Sequence, residues 1–324
     1  MRRRDFLTAA AGLPFLGYTG ALGAARPHGG SPVFLVTADR ESQILAVDAA
    51  TARITGRVRT APGPRGIDAT ANGQTAVVCH TQTGVVSIIV AAGLRVRHTL
   101  ETIAEPRYAA FPNERLAYVS DSASGALHVV DLARGRLVGR LDLDGPARHL
   151  SISPTGDRIW VALGNASRTV AIIDLTAPLR PRLLRYVATP HRAHDVAFSS
   201  DGQEVWISSG STRRVAVFDA RTGRQVAVLD ADAPPQHFVM LPGAAWVSSG
   251  ESGTLRIHDL VTREVRRTIA IPVGSYNVTA GFGLVATPSL DRGTLTTIDR
   301  HSGTVTRSRH VAIAAHDACF VVGV

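Results

Sequence analysis

The chain has 324 residues, 45% of them hydrophobic, with 30 Gly, 17 Pro and few aromatic residues, which argues for a turn-rich all-β protein with a substantial core rather than a helical one. The formal net charge is +9 with His counted neutral, and its positive side chains are all Arg, since no Lys occurs; the Arg residues are scattered and not interleaved with aromatics, which disfavours a nucleic-acid partner. The two cysteines, Cys79 and Cys319, lie in no CxxC or CxxCH motif, which argues against zinc-ribbon, thioredoxin-like and c-type haem readings.

The first 25 residues read as an export signal. Arg3-Arg4-Asp5-Phe6-Leu7 resembles the twin-arginine pattern. A mildly apolar stretch follows to about Ala24, and Ala21, Gly23 and Ala25 supply small residues for a peptidase. Pro14 and several Gly make this stretch a poor permanent anchor, and no other segment approaches spanning length. The expectation is a short linker over residues 26–31 and a periplasmic or extracellular domain over 32–324.

That domain opens with three strand-like runs, Pro32–Ala38, Ile44–Asp48 and Ile54–Arg59. Seven repeat rows follow, opening at Arg65, Arg107, Arg148, His194, Gln236, Tyr276 and His316, with spacings of 42, 41, 46, 42, 40 and 40 residues. Within them, strands with a bulky centre recur at Tyr118, Trp160, Trp206 and Trp246, a slot that suits packing between repeats. Later strands end in Asp before a turn, at Asp48, Asp131, Asp174, Asp219, Asp259 and Asp299. A carboxylate there accepts backbone N–H bonds and starts the turn. Four strands in about 40 residues is a propeller blade. The row at His316 has one strand before the chain stops, and the three N-terminal runs supply the others. The last blade therefore closes with strands from both ends of the chain, which brings Cys79 and Cys319 into neighbouring blades. Buried free thiols are the simpler reading, with a disulfide the alternative.

The rows resemble those of the YVTN-type β-propeller family, most closely at Tyr118-Val119-Ser120-Asp121-Ser122 and from His194 to Gly202. The resemblance covers nearly all of residues 32–324 and implies a seven-bladed, all-β propeller. Family relatives and neighbours include lactonase-like, haem d1 and quinoprotein amine dehydrogenase-like propellers, surface-layer proteins and exported binding proteins. No Gly-His to Trp-Asp pairs occur, so this is not a WD repeat array. Fold alone carries no function.

The row openings should ring one mouth of the central channel, where seven loops converge. That ring comprises Arg65, Arg107, Tyr108, Arg148, His149, His194, Asp195, Gln236, His237, Tyr276, Asn277, His316 and Asp317. Three functions compete for it. One is a bound transition metal, held by several of His149, His194, His237 and His316 with Asp195 or Asp317, and with it a cofactor-dependent oxidoreductase. Another is lactone hydrolysis, with a His or Asp as base and Arg107 or Arg148 at the oxyanion. The third, favoured on the family resemblance, is a binding mouth for a small molecule, glycan or peptide end. Whether the protein is an enzyme stays open at this level.

Overall fold

A computed structural model describes residues 32–164 and 167–323. The export-signal reading therefore falls outside the described residues. Among the described residues, 28 strands form seven four-stranded antiparallel sheets, with a single three-residue 3-10 turn at Asp39–Glu41. Among the described residues, no helix is long and apolar enough to cross a membrane.

The repeat rows map one to one onto the blades. Blade one spans Gly66–Leu100, blade two Pro106–Asp142, blade three Leu150–Ala188, blade four Val196–Asp230, blade five Phe238–Ala270 and blade six Thr279–His310. Blade seven takes its inner strand, Ala315–Val321, from the C-terminus and its other three, Val33–Ala38, Gln43–Asp48 and Ile54–Arg59, from the N-terminal end. Val33 pairs with Val321 and Leu35 with Cys319, so the ring is closed by backbone hydrogen bonds and leaves no open edge at the seam.

The cause of this packing is visible in the strands. The second and third strands of each blade are buried along nearly their whole length, because a neighbouring blade covers each face. The fourth strands alternate between exposed and half-buried residues, since they form the outer rim. Trp160, Trp206, Trp246 and Tyr118 are fully buried. Trp160 meets Phe198 of the next blade edge-on at 6.3 Å, and Trp206 meets Phe238 in the same way at 6.4 Å. The aromatic slot is thus interblade packing, worth more than its buried area alone.

The strand-ending aspartates start turns. Asp48 accepts from Thr51 N at 2.8 Å, Asp174 from Thr176 N at 2.9 Å, Asp219 from Thr222 N at 2.6 Å and Asp299 from Ser302 N at 2.7 Å. Cys79 and Cys319 are both buried and both free, so the disulfide alternative is not realised. They sit in adjacent blades, but each lies in an apolar layer where it serves as a small hydrophobe.

Candidate functional site at the channel mouth

In blades three, four and five the row openings Arg148-His149, His194-Asp195 and Gln236-His237 lie just ahead of the inner strands. They are not loose loops. His194 N donates to Ser208 O at 2.8 Å and Ser208 N returns a bond to Asp195 O at 3.0 Å; Gln236 and His237 pair with Ser248 in the same way. Each opening is therefore an extension of the sheet, fixed to the second strand of its own blade.

In four blades a hydroxyl on the second strand ties the opening to the next blade; in blade three that position is Ala162. Ser208 Oγ accepts from Asp195 N at 3.0 Å and donates to Gln236 O at 2.6 Å. Ser248 Oγ accepts from His237 N and donates to Tyr276 O. Ser120 Oγ links Tyr108 N to Arg148 O, and Thr37 Oγ1 links Asp317 N to Arg65 O. Ser120, Ser208 and Ser248 all lie in the strands that carry the bulky residue. Their recurrence two residues after Tyr118, Trp206 and Trp246 is the signal that could have found them.

Three histidines converge on this frame. One ring nitrogen from each of His149, His194 and His237 lies within 4.8 Å of the other two. The imidazole centroids are 4.8 Å apart for His149 and His194, 4.5 Å for His149 and His237, and 5.5 Å for His194 and His237. Tyr108 from blade two stacks on His149 at 3.8 Å. The three histidines are 2%, 8% and 9% exposed, so the space between them suits an ion better than a glycan or peptide. Both ring nitrogens of His149 are buried without a hydrogen-bond partner. Such orphans are costly unless something binds them. His237 turns Nδ1 to Asp195 Oδ2 at 3.4 Å, the carboxylate–histidine arrangement that leaves Nε2 for a ligand.

Burial holds His149 and His194 well below the usual imidazole range, reinforced by their neighbouring imidazoles and by Arg148 and Arg107. Both are neutral at neutral pH, the form that ligates metals. Gly210 makes room for His194. A Cβ there would stand 2.6 Å from the Cβ, Cγ and Nδ1 of His194, and the residue sits at φ +62°.

His316 does not join the three. Its Nδ1 faces Arg65 O at 3.2 Å, and burial, with the Arg65 guanidinium beside it, lowers its pKa to about 3. Asp195 and Asp317 share one geometry three blades apart. Asp195 Oδ1 accepts from Val196 N at 2.7 Å and Oδ2 from Phe238 N of the next blade at 3.1 Å; Asp317 accepts from Ala318 N at 2.8 Å and Ile67 N at 3.0 Å. These carboxylates pin neighbouring blades. Burial raises Asp317 to about 6. Asp68, not a member of the expected ring, alternates with buried Ile67 on the inner strand of blade one; confinement there, relieved in part by Ala69 N–H and increased by Asp317, raises it to about 7.

The remaining ring members have other partners. Arg65 pairs with Asp39 at 3.3 Å and Arg107 with Glu105 at 3.3 Å. Asn277 Nδ2 donates to His316 O at 2.8 Å, Gln236 Nε2 donates to Pro234 O at 3.3 Å, and the Tyr276 ring lies over Gly250. None of these three reaches the histidine cluster.

The family model of the cytochrome D1 heme domain matches residues 116–241, a stretch that contains all three clustered histidines. No curated protein matches the sequence. Among solved structures, a functionally unknown protein from Desulfotomaculum acetoxidans superposes with a TM-score of 0.79 at 11% identity, covering 90% of this chain and 99% of that one. Apo AztD from Citrobacter koseri gives 0.73 at 12% identity, covering 90% and 98%. The dihydro-heme d1 dehydrogenase NirN, in complex with DHE, gives 0.66 at 15% identity, covering 89% of this chain and 66% of that one. At these identities the likeness establishes the fold, and with the partial family match it supports a YVTN-like propeller.

Proposed function

We propose that this YVTN-like propeller is an exported binding protein whose ligand is a divalent late transition-metal ion, zinc first, held by His149, His194 and His237. The observation that carries the reading is the buried convergence of three imidazoles, one with both nitrogens unpartnered. Three imidazole nitrogens with an open fourth position suit zinc, and imidazole also suits copper and nickel. Zinc–nitrogen bonds of about 2.0–2.1 Å put tetrahedral ligand atoms ~3.3 Å apart, so the rings need to close by about an ångström or more on the ion.

Acid–base hydrolysis gains less support, because Asp195 and Asp317 already accept backbone N–H bonds on both oxygens. The oxidoreductase reading is not favoured either: Tyr108 and the three imidazoles pack tightly, which suits an ion with at most a small co-ligand better than a bulky organic substrate. The cytochrome D1 match and NirN raise a tetrapyrrole as the competing ligand, and its absorption separates the two.

The test is metal analysis with an absorption spectrum on mature protein, exported by its own signal and purified without chelators. One zinc per chain, lost in a His194→Ala/His237→Ala double variant that remains folded, is the expected result. A folded wild type that neither carries metal nor gains thermal stability with added zinc, copper or nickel overturns the proposal.

A further inference from the structure

Two arginines flank the histidine cluster, and their surroundings bear on what else binds there. Arg107 and Arg148 immediately precede Tyr108 and His149, whose rings stack at 3.8 Å. The Nε atoms of both are buried with no hydrogen-bond partner. Arg107 has one carboxylate neighbour, Glu105. Among the described residues, the Arg148 side chain has neither a carboxylate nor any other hydrogen-bond acceptor.

This is an awkward wall for a divalent cation. Imidazole ligands contribute no negative charge, the Asp195 carboxylate behind His237 is already engaged by two backbone N–H groups, and the two guanidinium groups repel the ion. A ligand with two or three oxygens resolves both difficulties. One oxygen takes the fourth metal position, and the others accept the unmet N–H groups of the guanidinium forks, which match the planar O–C–O geometry of a carboxylate or carbonate.

Resting on the metal-binding reading above, we propose that the ion is taken up together with a small planar oxyanion, bicarbonate or a monocarboxylate, held between the metal and the Arg107–Arg148 pair. The anion is a co-ligand: no bond within it is made or broken.

The experiment is zinc binding by chelator competition on the mature protein. The buffers are CO2-free chloride, then the same buffer with bicarbonate, acetate or phosphate. A planar oxyanion should tighten zinc by at least about tenfold, the lower end of what outer partners of metal ligands contribute. Arg148→Gln should keep one zinc per chain and lose that gain. Should the variant fail to fold, 13C-bicarbonate on the wild type gives the same answer, as a carbonyl resonance that shifts only when zinc is present. Equal zinc affinity in every buffer, or a gain that survives Arg148→Gln, overturns the inference while leaving the metal site standing. A gain with phosphate alone overturns the planar class. No zinc in any buffer, bicarbonate included, overturns both proposals.

Discussion

Removing the Ser208 hydroxyl tests how the mouth is held in shape. Ser208 is fully buried, and its Oγ serves two blades at once: it accepts from Asp195 N at 3.0 Å and donates to Gln236 O at 2.6 Å. Ser208→Ala leaves a buried donor on one blade and a carbonyl without this bond on the next. An unsatisfied buried polar group costs about 1–3 kcal/mol, so the pair should cost roughly 2–6 kcal/mol, with the low end applying if water enters from the channel. For a domain of this size that is a fall of several degrees in Tm, at about 2–4 °C per kcal/mol. Urea denaturation at pH 7 reads the change as a lower midpoint at unchanged slope. The exposed Ser211→Ala, one turn away, is the control and should stay within about 0.5 kcal/mol. Because the hydroxyl sits between His194-Asp195 and Gln236-His237, zinc affinity should fall along with stability. A Ser208→Ala variant as stable as Ser211→Ala refutes the view that these hydroxyls bind the blades together at the mouth.

Gly210→Ala should displace His194, since the new Cβ has 2.6 Å to three of its atoms and a positive φ to adopt. Expected are a stability loss of about 1–3 kcal/mol and a metal affinity lowered by about tenfold or more; unchanged zinc binding by chelator competition refutes the placement. Acid should destabilise the metal-free protein. The unfolded chain takes up protons on His149, His194 and His316 near pH 6.5, whereas burial keeps their folded pKa values lower, so stability falls as pH drops below about 6.5. Asp317 and Asp68, raised to about 6 and about 7, work in the opposite sense, their contributions being present at low pH and lost as pH rises through those values, but they are outnumbered by the three imidazoles. Urea midpoints at pH 7, 6 and 5 should therefore decline, and the decline should be shallower in His316→Gln; a flat profile for both counts against the buried neutral imidazoles. Cys79 and Cys319, buried and with thiols pushed up mainly by that burial, should resist iodoacetamide in the native protein and react fully in urea. Labelling of the native protein at either position, read by mass, contradicts their placement.

The blade count, the closure of blade seven and the roles of the aromatic and aspartate slots were all legible in the chain, for one physical reason. A propeller repeats one local problem seven times: two buried strands, a turn that needs a carboxylate, and a bulky residue to fill the space between sheets. Each solution depends on neighbours in sequence or in the next repeat, so it leaves a period of about 40 residues behind. The ring of row openings was legible for the same reason. What tertiary structure alone decided is how that ring divides. His149, His194 and His237 come from three consecutive blades and meet, whereas His316 has the same place in its row but lies nearer Arg65 than the cluster. Asp195 and Asp317 look like acid–base partners in sequence, yet their oxygens are taken by backbone N–H groups of their own and the following blade. The hydroxyl bridges at Thr37, Ser120, Ser208 and Ser248 were similarly hidden, because each links residues about 28 positions apart across a blade boundary. Side chains equivalent by period become inequivalent by azimuth around the channel, and only the closed ring assigns each one its neighbours.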